Sequence, residues 1–266
     1  MQPTLSHINV FPIKSCAPLT PDHAVVEMRG LRGDRRWMIV DDAGKFITAR
    51  KHPRLVLIRA VFDGASLRLG APGMPGLRLL TQARAETSKV IVWADEVAGS
   101  TAEAQADAWI SDYLGFPARF VYMADDCVRP VDPGYAHVGD QVSFADGYPL
   151  LLISQAALDD LNARLESPVP MLRFRPSLVI ANTSSHAEDG WRSIRIGEVT
   201  FDVVKPCVRC VLTTVDPATG EFDPSGEPLR TLVSYRRGSR GVTFGQNLIP
   251  RGSGTIHVGD QVSIIE

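Results

Sequence analysis

The chain has 266 residues, 44% hydrophobic and 22% charged, close to the globular average, which at about 150 residues per domain makes one large or two ordinary domains. Its 28 basic residues against 30 acidic ones give a net charge of -2, which argues against a duplex nucleic-acid binder, since such a protein favours a basic stripe. No run approaches the roughly 18 apolar residues of a membrane-spanning helix, and the opening MQPTLSHINVFPIKSC lacks the basic and apolar regions of a secretory signal; the chain is therefore expected in the cytoplasm, off the membrane, with its four cysteines (Cys16, Cys127, Cys207 and Cys210) reduced.

Most of the first hundred residues reads as short strands, at 5–11, 24–28, 37–40, 55–62, 66–69 and 90–93. Asp41-Asp42-Ala43-Gly44, Asp63-Gly64 and the proline-bearing segment 70–76 supply turns between them. Strands at this spacing predict a barrel or sandwich rather than βαβ units. A helix is expected over 102–114, where Ala106, Trp109, Ile110 and Tyr113 share one face and Gly115 and Pro117 stop it. A second is expected over 155–165, with Ser154 as N-cap and Leu158, Leu161 and Leu165 as its buried stripe. A third, Leu229–Arg236, follows Pro228, and 208–215 reads as strand. The fold class is mainly β (α+β), with a few short helices.

The heptapeptide HVGDQVS occurs twice, at 137–143 and 257–263. Val-Gly-Asp is turn grammar and Gln-Val-Ser resumes a strand, so the echo predicts two related hairpins at the two ends of one barrel. It brackets a C-terminal unit starting near residue 120, giving domains over 1–120 and 121–266.

The most informative stretch is KPCVRCVLTTVDPATGE, 205–221. Cys207 and Cys210 form a Cys-x-x-Cys pair around Arg209, and a guanidinium beside a thiolate stabilises it. Four readings stay open at this point. They are half of a zinc site completed by distant Cys16 and Cys127, a thioredoxin-type redox pair, one thiolate holding a soft metal or a metal cofactor beside a structural partner, and two small residues buried in a strand.

A second set of residues bears on the choice. Lys14 and Ser15 sit together in a loop after a strand, Arg32, Arg35 and Arg36 surround a turn, and Arg173 and Arg175 flank a strand start. Arginine binds phosphate oxygens bidentately, so an anionic, phosphate-bearing ligand is expected. There is no Walker loop and no G-x-G-x-x-G, so a nucleotide is not the obvious one. None of the six histidines has a metal-ligand spacing such as H-x-x-x-H.

The series PIKSC, LRGDRRW, ITARKHPRL, DGYPLLLIS, LRFRPSLVI, PCVRCVLTTVDPATGE, TFGQNL and GTIHVGDQV covers nearly the whole chain. In this order it resembles the MOSC superfamily, in the branch that carries a MOSC N-terminal β-barrel domain and is similar to the mitochondrial amidoxime-reducing components and their bacterial relatives. The resemblance implies a MOSC-type β-barrel preceded by a barrel-like N-terminal domain. It implies a molybdenum-molybdopterin cofactor held between the two, with Cys210 as metal ligand and catalytic residue and Cys207 as packing or support. Lys14, Ser15, Arg35 and Arg175 match cofactor contacts, and Arg209 precedes the ligand where its backbone and charge help fix the pterin phosphate. Gly147 and Tyr148 replace small hydroxyl residues, so only backbone contacts carry over there. Asn247 stands where eukaryotic relatives have an aromatic, and is counted with the cofactor contacts although its side chain differs.

The implied reaction is oxygen-atom removal from small N-hydroxylated substrates such as amidoximes and N-hydroxylated bases. The alternative is a carrier of molybdenum cofactor or sulfur without turnover, and the third possibility is a metal-free barrel. The cysteines do not have iron-sulfur spacing, so no iron-sulfur cluster is expected in this chain and electrons are expected from a separate flavoprotein or ferredoxin-type partner. Pyridoxal phosphate is not expected.

Overall fold

A computed structural model describes residues 2–80 and 87–266. The protein is mostly β. Its largest sheet has eight strands, seven of them along one path: Thr4–Ile8, Leu178–Ala181, Leu150–Ser154, Gly241–Pro250, Val199–Val208, Ser193–Ile196 and Val262–Ile264. The two ends of the path meet. Thr4 bridges Gln261, Leu5 N–H donates to Asp260 O and Val262 N–H to Pro3 O. The sheet is thus a nearly closed barrel, which leaves little free edge. Leu5, Leu152, Leu178, Ile194, Phe201 and Leu248 fill it.

The N-terminal lobe holds a four-stranded sheet, Trp37–Val40, Arg119–Tyr122, Asp95–Thr101 and Thr87–Val92, and a three-stranded one, Arg59–Asp63, Ser66–Gly70 and Leu77–Leu80. Helix α1 (Ala104–Leu114) buries Ala106, Trp109, Ile110 and Tyr113, the face expected from their spacing. It ends where Gly115 takes φ +79°, a left-handed cap that glycine adopts without steric cost. Strand pairing crosses between the two ends of the chain. Thr4–Ile8 pairs with Leu178–Ala181, and His23–Glu27 pairs with Gly254–His257.

Helix α2 (Gln155–Asn162) starts as expected, with Ser154 Oγ accepting from Ala157 N–H. It ends three residues early because Asn162 turns its amide onto the backbone of Val169, bonding both N–H and C=O. Helix α3 (Leu229–Arg236) lies where expected.

Three local expectations are corrected. Residues 55–62 are not one strand. Pro53 opens a 3-10 turn, Pro53–Leu57, and extended structure begins only at Arg59; proline's fixed φ suits a first helical position. Residues 208–215 are not a strand either. The strand Val199–Val208 ends and a 3-10 turn, Val211–Thr214, follows. Thr213 Oγ1 donates to Cys210 O and Thr214 Oγ1 to Val211 O, so β-branched residues that resemble strand use their hydroxyls to close a turn.

The repeated heptapeptide makes one turn twice, not two barrel hairpins. His137 and His257 N–H each donate to the side chain of the following aspartate, Asp140 and Asp260, at 2.7 and 2.8 Å. Gly139 and Gly259 take φ +98° and +96°. Beyond the turns the copies diverge. Gln141 makes an isolated bridge to Pro130, whereas Gly254–His257 and Val262–Ile264 join different sheets.

Candidate functional site

The loop from the first barrel strand into the N-terminal lobe brings in the first two site residues. Lys14 N–H donates to Trp37 O, and Ser15 takes φ +72°. Arg35 (φ +47°) donates its N–H to Phe11 O and accepts from Phe144 N–H. Arg175 (φ +56°) caps the short turn Met171–Phe174. Six described non-glycine residues have positive φ, and these three of the six line one cleft. Such backbone is costly and concentrates where side chains must be aimed.

The cleft lies between barrel and lobe and holds about 810 Å³ of empty space counted out to its open mouth. All nine residues expected at a site line it: Lys14, Ser15, Arg35, Gly147, Tyr148, Arg175, Arg209, Cys210 and Asn247. Cys207 lines it too. Both paired cysteines are free and only partly buried, which overturns the reading of two small residues buried in a strand. Among the described residues no three His, Cys, Asp or Glu side chains gather where they could hold a metal ion, so the zinc reading lacks its further ligands. Cys16 is fully buried and burial pushes its thiol up to about 12; such a thiol is inert.

Lys14 is buried, and its Nζ donates to Phe144 O at 2.7 Å and Asp146 Oδ1 at 2.6 Å. Burial pulls its pKa from 10.5 to about 8, against the opposing charge of Asp146. Burial works against ionisation of Asp146 as well, but Lys14 and Arg50 hold its carboxyl far below the usual range. Arg35 and Arg175 both lie over the Phe11 ring, at 4.4 and 4.2 Å from its centroid. Arg35 pairs with buried Asp34 at 2.5 Å, and Arg175 donates to Cys16 O at 2.8 Å. Burial, then the nearby Arg35 charge, pulls Arg175 down to about 9, so it stays cationic at neutral pH. Arg209 donates its N–H to Val242 O, Nη1 to Cys207 Sγ at 3.0 Å and Nη2 to Phe174 O at 2.7 Å. Its backbone N–H is therefore committed to the barrel strand Gly241–Pro250.

The other expected positions are more modest. A Cβ on Gly147 would meet nothing within 4 Å. Burial lifts the Tyr148 hydroxyl to about 12, and it has no hydrogen-bond partner among the described residues. Asn247 Nδ2 donates to Lys205 O, so part of its amide is committed to the sheet.

Two residues not singled out in the sequence complete the cleft. Arg50 Nε donates to Cys210 Sγ at 3.3 Å and Nη2 to Asp146 Oδ2 at 2.5 Å. Both fall in stretches that carry the resemblance, Arg50 in ITARKHPRL and Asp146 in DGYPLLLIS, but no property of the isolated residues marks them. Five cations, Lys14, Arg35, Arg50, Arg175 and Arg209, line the cleft with one carboxylate, Asp146. A chain of net charge -2 thus concentrates a positive field beside a thiol, which draws anions.

Residues 2–117 match the MOSC N-terminal beta barrel domain and residues 139–263 the MOSC domain. The chain is 36% identical to the human mitochondrial amidoxime-reducing component 1 over 281 residues, covering 98% of this chain and 83% of that protein. This chain belongs to that family. The mouse protein of the same name is 36% identical over 98% of this chain and 82% of its own length. The bovine mitochondrial amidoxime reducing component 2 is 34% identical over 88% and 72%. No described helix is long and apolar enough to cross a membrane.

Proposed function

We propose that the protein is a molybdenum-cofactor-dependent reductase of small N-hydroxylated compounds, such as amidoximes and N-hydroxylated bases, with Cys210 as the protein ligand to the metal. One observation carries the reading: a half-buried thiol and five cationic side chains, drawn from distant parts of the chain, meet in one cleft. The names of the curated relatives support the substrate class.

The residues fit the group. A thiolate suits a soft metal centre. Arg175 Nη2 and Arg209 Nε are buried without a partner among the described residues, and such a donor costs about 1–3 kcal/mol. An anionic ligand seated by a small adjustment of these side chains would repay that cost, and guanidinium forks match phosphate oxygens. When bound, a molybdenum pyranopterin supplies two-electron oxygen-atom transfer.

The chain's own part is to seat and expose it. Lys14, Arg35, Arg175 and Arg209 hold negative charge, and Ser15 lines the cleft beside them. Cys210 offers its sulfur at the head of the turn Val211–Thr214. The open space over Gly147 admits close backbone approach. Val208, which lines the cleft beside the cysteine pair, is exposed and leaves an apolar edge for the body of a substrate. Electrons come from a separate flavoprotein or ferredoxin-type partner.

The test uses protein made in a cofactor-competent host. Elemental analysis is expected to find near-stoichiometric molybdenum in the parent and in Cys207→Ser, and a large loss in Cys210→Ser. The parent is expected to turn over benzamidoxime with an artificial reductant. Equal metal in Cys210→Ser removes that sulfur as ligand. Full metal without turnover replaces the reductase with a cofactor carrier.

A further inference from the structure

We propose that Arg50 is the positioning residue for the Cys210 sulfur, held by Asp146 and Trp93 in a strut that joins the N-terminal lobe to the barrel. The inference rests on the reading of Cys210 as the functional thiol and concerns how that thiol is aimed and covered.

Arg50 stands on an anchored turn. Lys51 and His52 N–H both donate to Thr48 O, and Ala49 is fully buried. Its side chain is only 20% exposed. A guanidinium is planar, and Nε and Nη2 lie along one edge. That edge meets two acceptors, Cys210 Sγ through Nε and Asp146 Oδ2 through Nη2. A carboxylate fixed at Nη2 therefore fixes where Nε points.

Asp146 is itself fixed. Its other oxygen, Oδ1, accepts from Lys14 Nζ at 2.6 Å and from Trp93 Nε1 at 3.3 Å. The Trp93 ring lies 5.0 Å from the Arg50 guanidinium carbon, and Phe46 packs against Trp93 at 5.1 Å. Trp93 takes φ +60°, a conformation rare for a bulky side chain, and its indole contacts both members of the pair. It stays 52% exposed, so burial of its own surface does not explain its placement.

The Asp146 side chain is 52% exposed, whereas its partners Lys14 and Arg50 are only 6% and 20% exposed, so the ion pairs contribute to stability as well as to geometry. The strut has a geometric product. It holds an N–H on the sulfur from the lobe side, so the thiol is covered there and remains available toward the cleft.

The experiment compares the parent with Arg50→Gln, Arg50→Lys and Asp146→Asn in the full chain, each confirmed folded by circular dichroism. Metal-free protein is alkylated with iodoacetamide at about pH 10, above the ordinary thiol pKa of about 8.5, so that rates report cover rather than ionisation. Tryptic cleavage after Arg209 separates Cys207 from Cys210, and mass spectrometry reads each rate. Arg50→Gln is expected to raise the Cys210 rate about threefold or more while Cys207 stays within about twofold of the parent. Arg50→Lys should lie between, and Asp146→Asn, which frees the guanidinium from its strut, should also raise it. In loaded protein, Arg50→Gln is expected to lose molybdenum on dialysis about threefold faster, with partial rescue by Lys.

A parent-like Cys210 rate in both Arg50→Gln and Asp146→Asn overturns the proposal, as does an equal rise at Cys207. Should Arg50→Gln not fold, Asp146→Asn decides alone. Failure of the metal reading is separate, because Cys210→Ser retaining full molybdenum would leave the alkylation result standing.

Discussion

Replacing Lys14 by methionine separates what the cleft needs from what the fold needs. The Lys14 side chain is 6% exposed, and burial pulls its pKa from 10.5 to about 8 even with Asp146 opposing. That difference corresponds to about 3 kcal/mol at roughly 1.4 kcal/mol per pKa unit. The folded value lies below the unfolded one, so the charge costs stability below about pH 8. The cost fades as pH rises from about 8 toward 10.5, where the unfolded chain also gives up its proton. Methionine keeps the unbranched apolar stem and removes the ammonium. It also forfeits the hydrogen bond to Phe144 O and leaves a buried carbonyl, at a cost of about 1–3 kcal/mol. Asp146 keeps Arg50 and its contact with water. The balance lies between zero and about 2 kcal/mol in favour of the variant. At about 2–4 °C per kcal/mol for a chain of this size, Lys14→Met is expected to melt between the parent's Tm and about 8 °C above it by calorimetry. Pyrophosphate, a stand-in for the phosphate end of a ligand, is expected to bind the variant about tenfold more weakly at pH 7. Parent binding should weaken as pH passes 8, where Lys14 gives up its proton, whereas the variant's should weaken only nearer pH 9, where Arg175 does. A melting point more than about 5 °C below the parent would refute the reasoning by making the ammonium a net stabiliser. Unchanged pyrophosphate affinity would remove Lys14 from the anion seat.

Two further substitutions test the frame of the site. Asp34 is buried, accepts from Phe11 N–H at 2.7 Å and pairs with Arg35; Asp34→Asn leaves a cation without its partner and is expected to cost about 3 kcal/mol, read as a lower urea midpoint at unchanged m-value, and a loss below about 1 kcal/mol would make that pair incidental. Gly245 sits inside the barrel at φ +80°, where a Cβ would come 2.5 Å from Ile153 Cγ1 and 2.6 Å from Leu152 O. Gly245→Ala is expected to cost about 3 kcal/mol or more. Gly147→Ala, whose Cβ meets open space, should stay within about 0.5 kcal/mol, and similar costs for the two would contradict the geometry.

Local chemistry was readable wherever one segment decides its own shape. The buried face of α1 follows from the spacing of Ala106, Trp109, Ile110 and Tyr113, and Ser154 caps α2 by reaching three residues ahead. Reading failed where a side chain's partner lies outside the segment, or where one residue type serves two structures. Leu165 continues a helical stripe, yet α2 stops because Asn162 binds Val169. Thr213 and Thr214 look like strand residues and instead close a 3-10 turn. Most of the expected cleft residues came from resemblance to a family rather than from any property of the isolated residues. Arg50 lies in ITARKHPRL, one of the stretches that carry the resemblance, yet it is not singled out there among 28 basic residues, since nothing near it in the chain refers to Asp146 or to Cys210.

The order of residues by itself determined a mainly β protein, the faces of its helices, and a Cys-x-x-Cys pair around an arginine. The tertiary structure alone decided that Thr4–Ile8 lies against Leu178–Ala181, which carries Lys14 and Ser15 into the same cleft as Cys210. It alone decided that five cations share that cleft with one carboxylate in a chain of slightly negative charge. The physical reason is range: propensity and periodicity act over a few residues, whereas charge, burial and the aim of a guanidinium depend on whatever the closed barrel brings within a few ångströms.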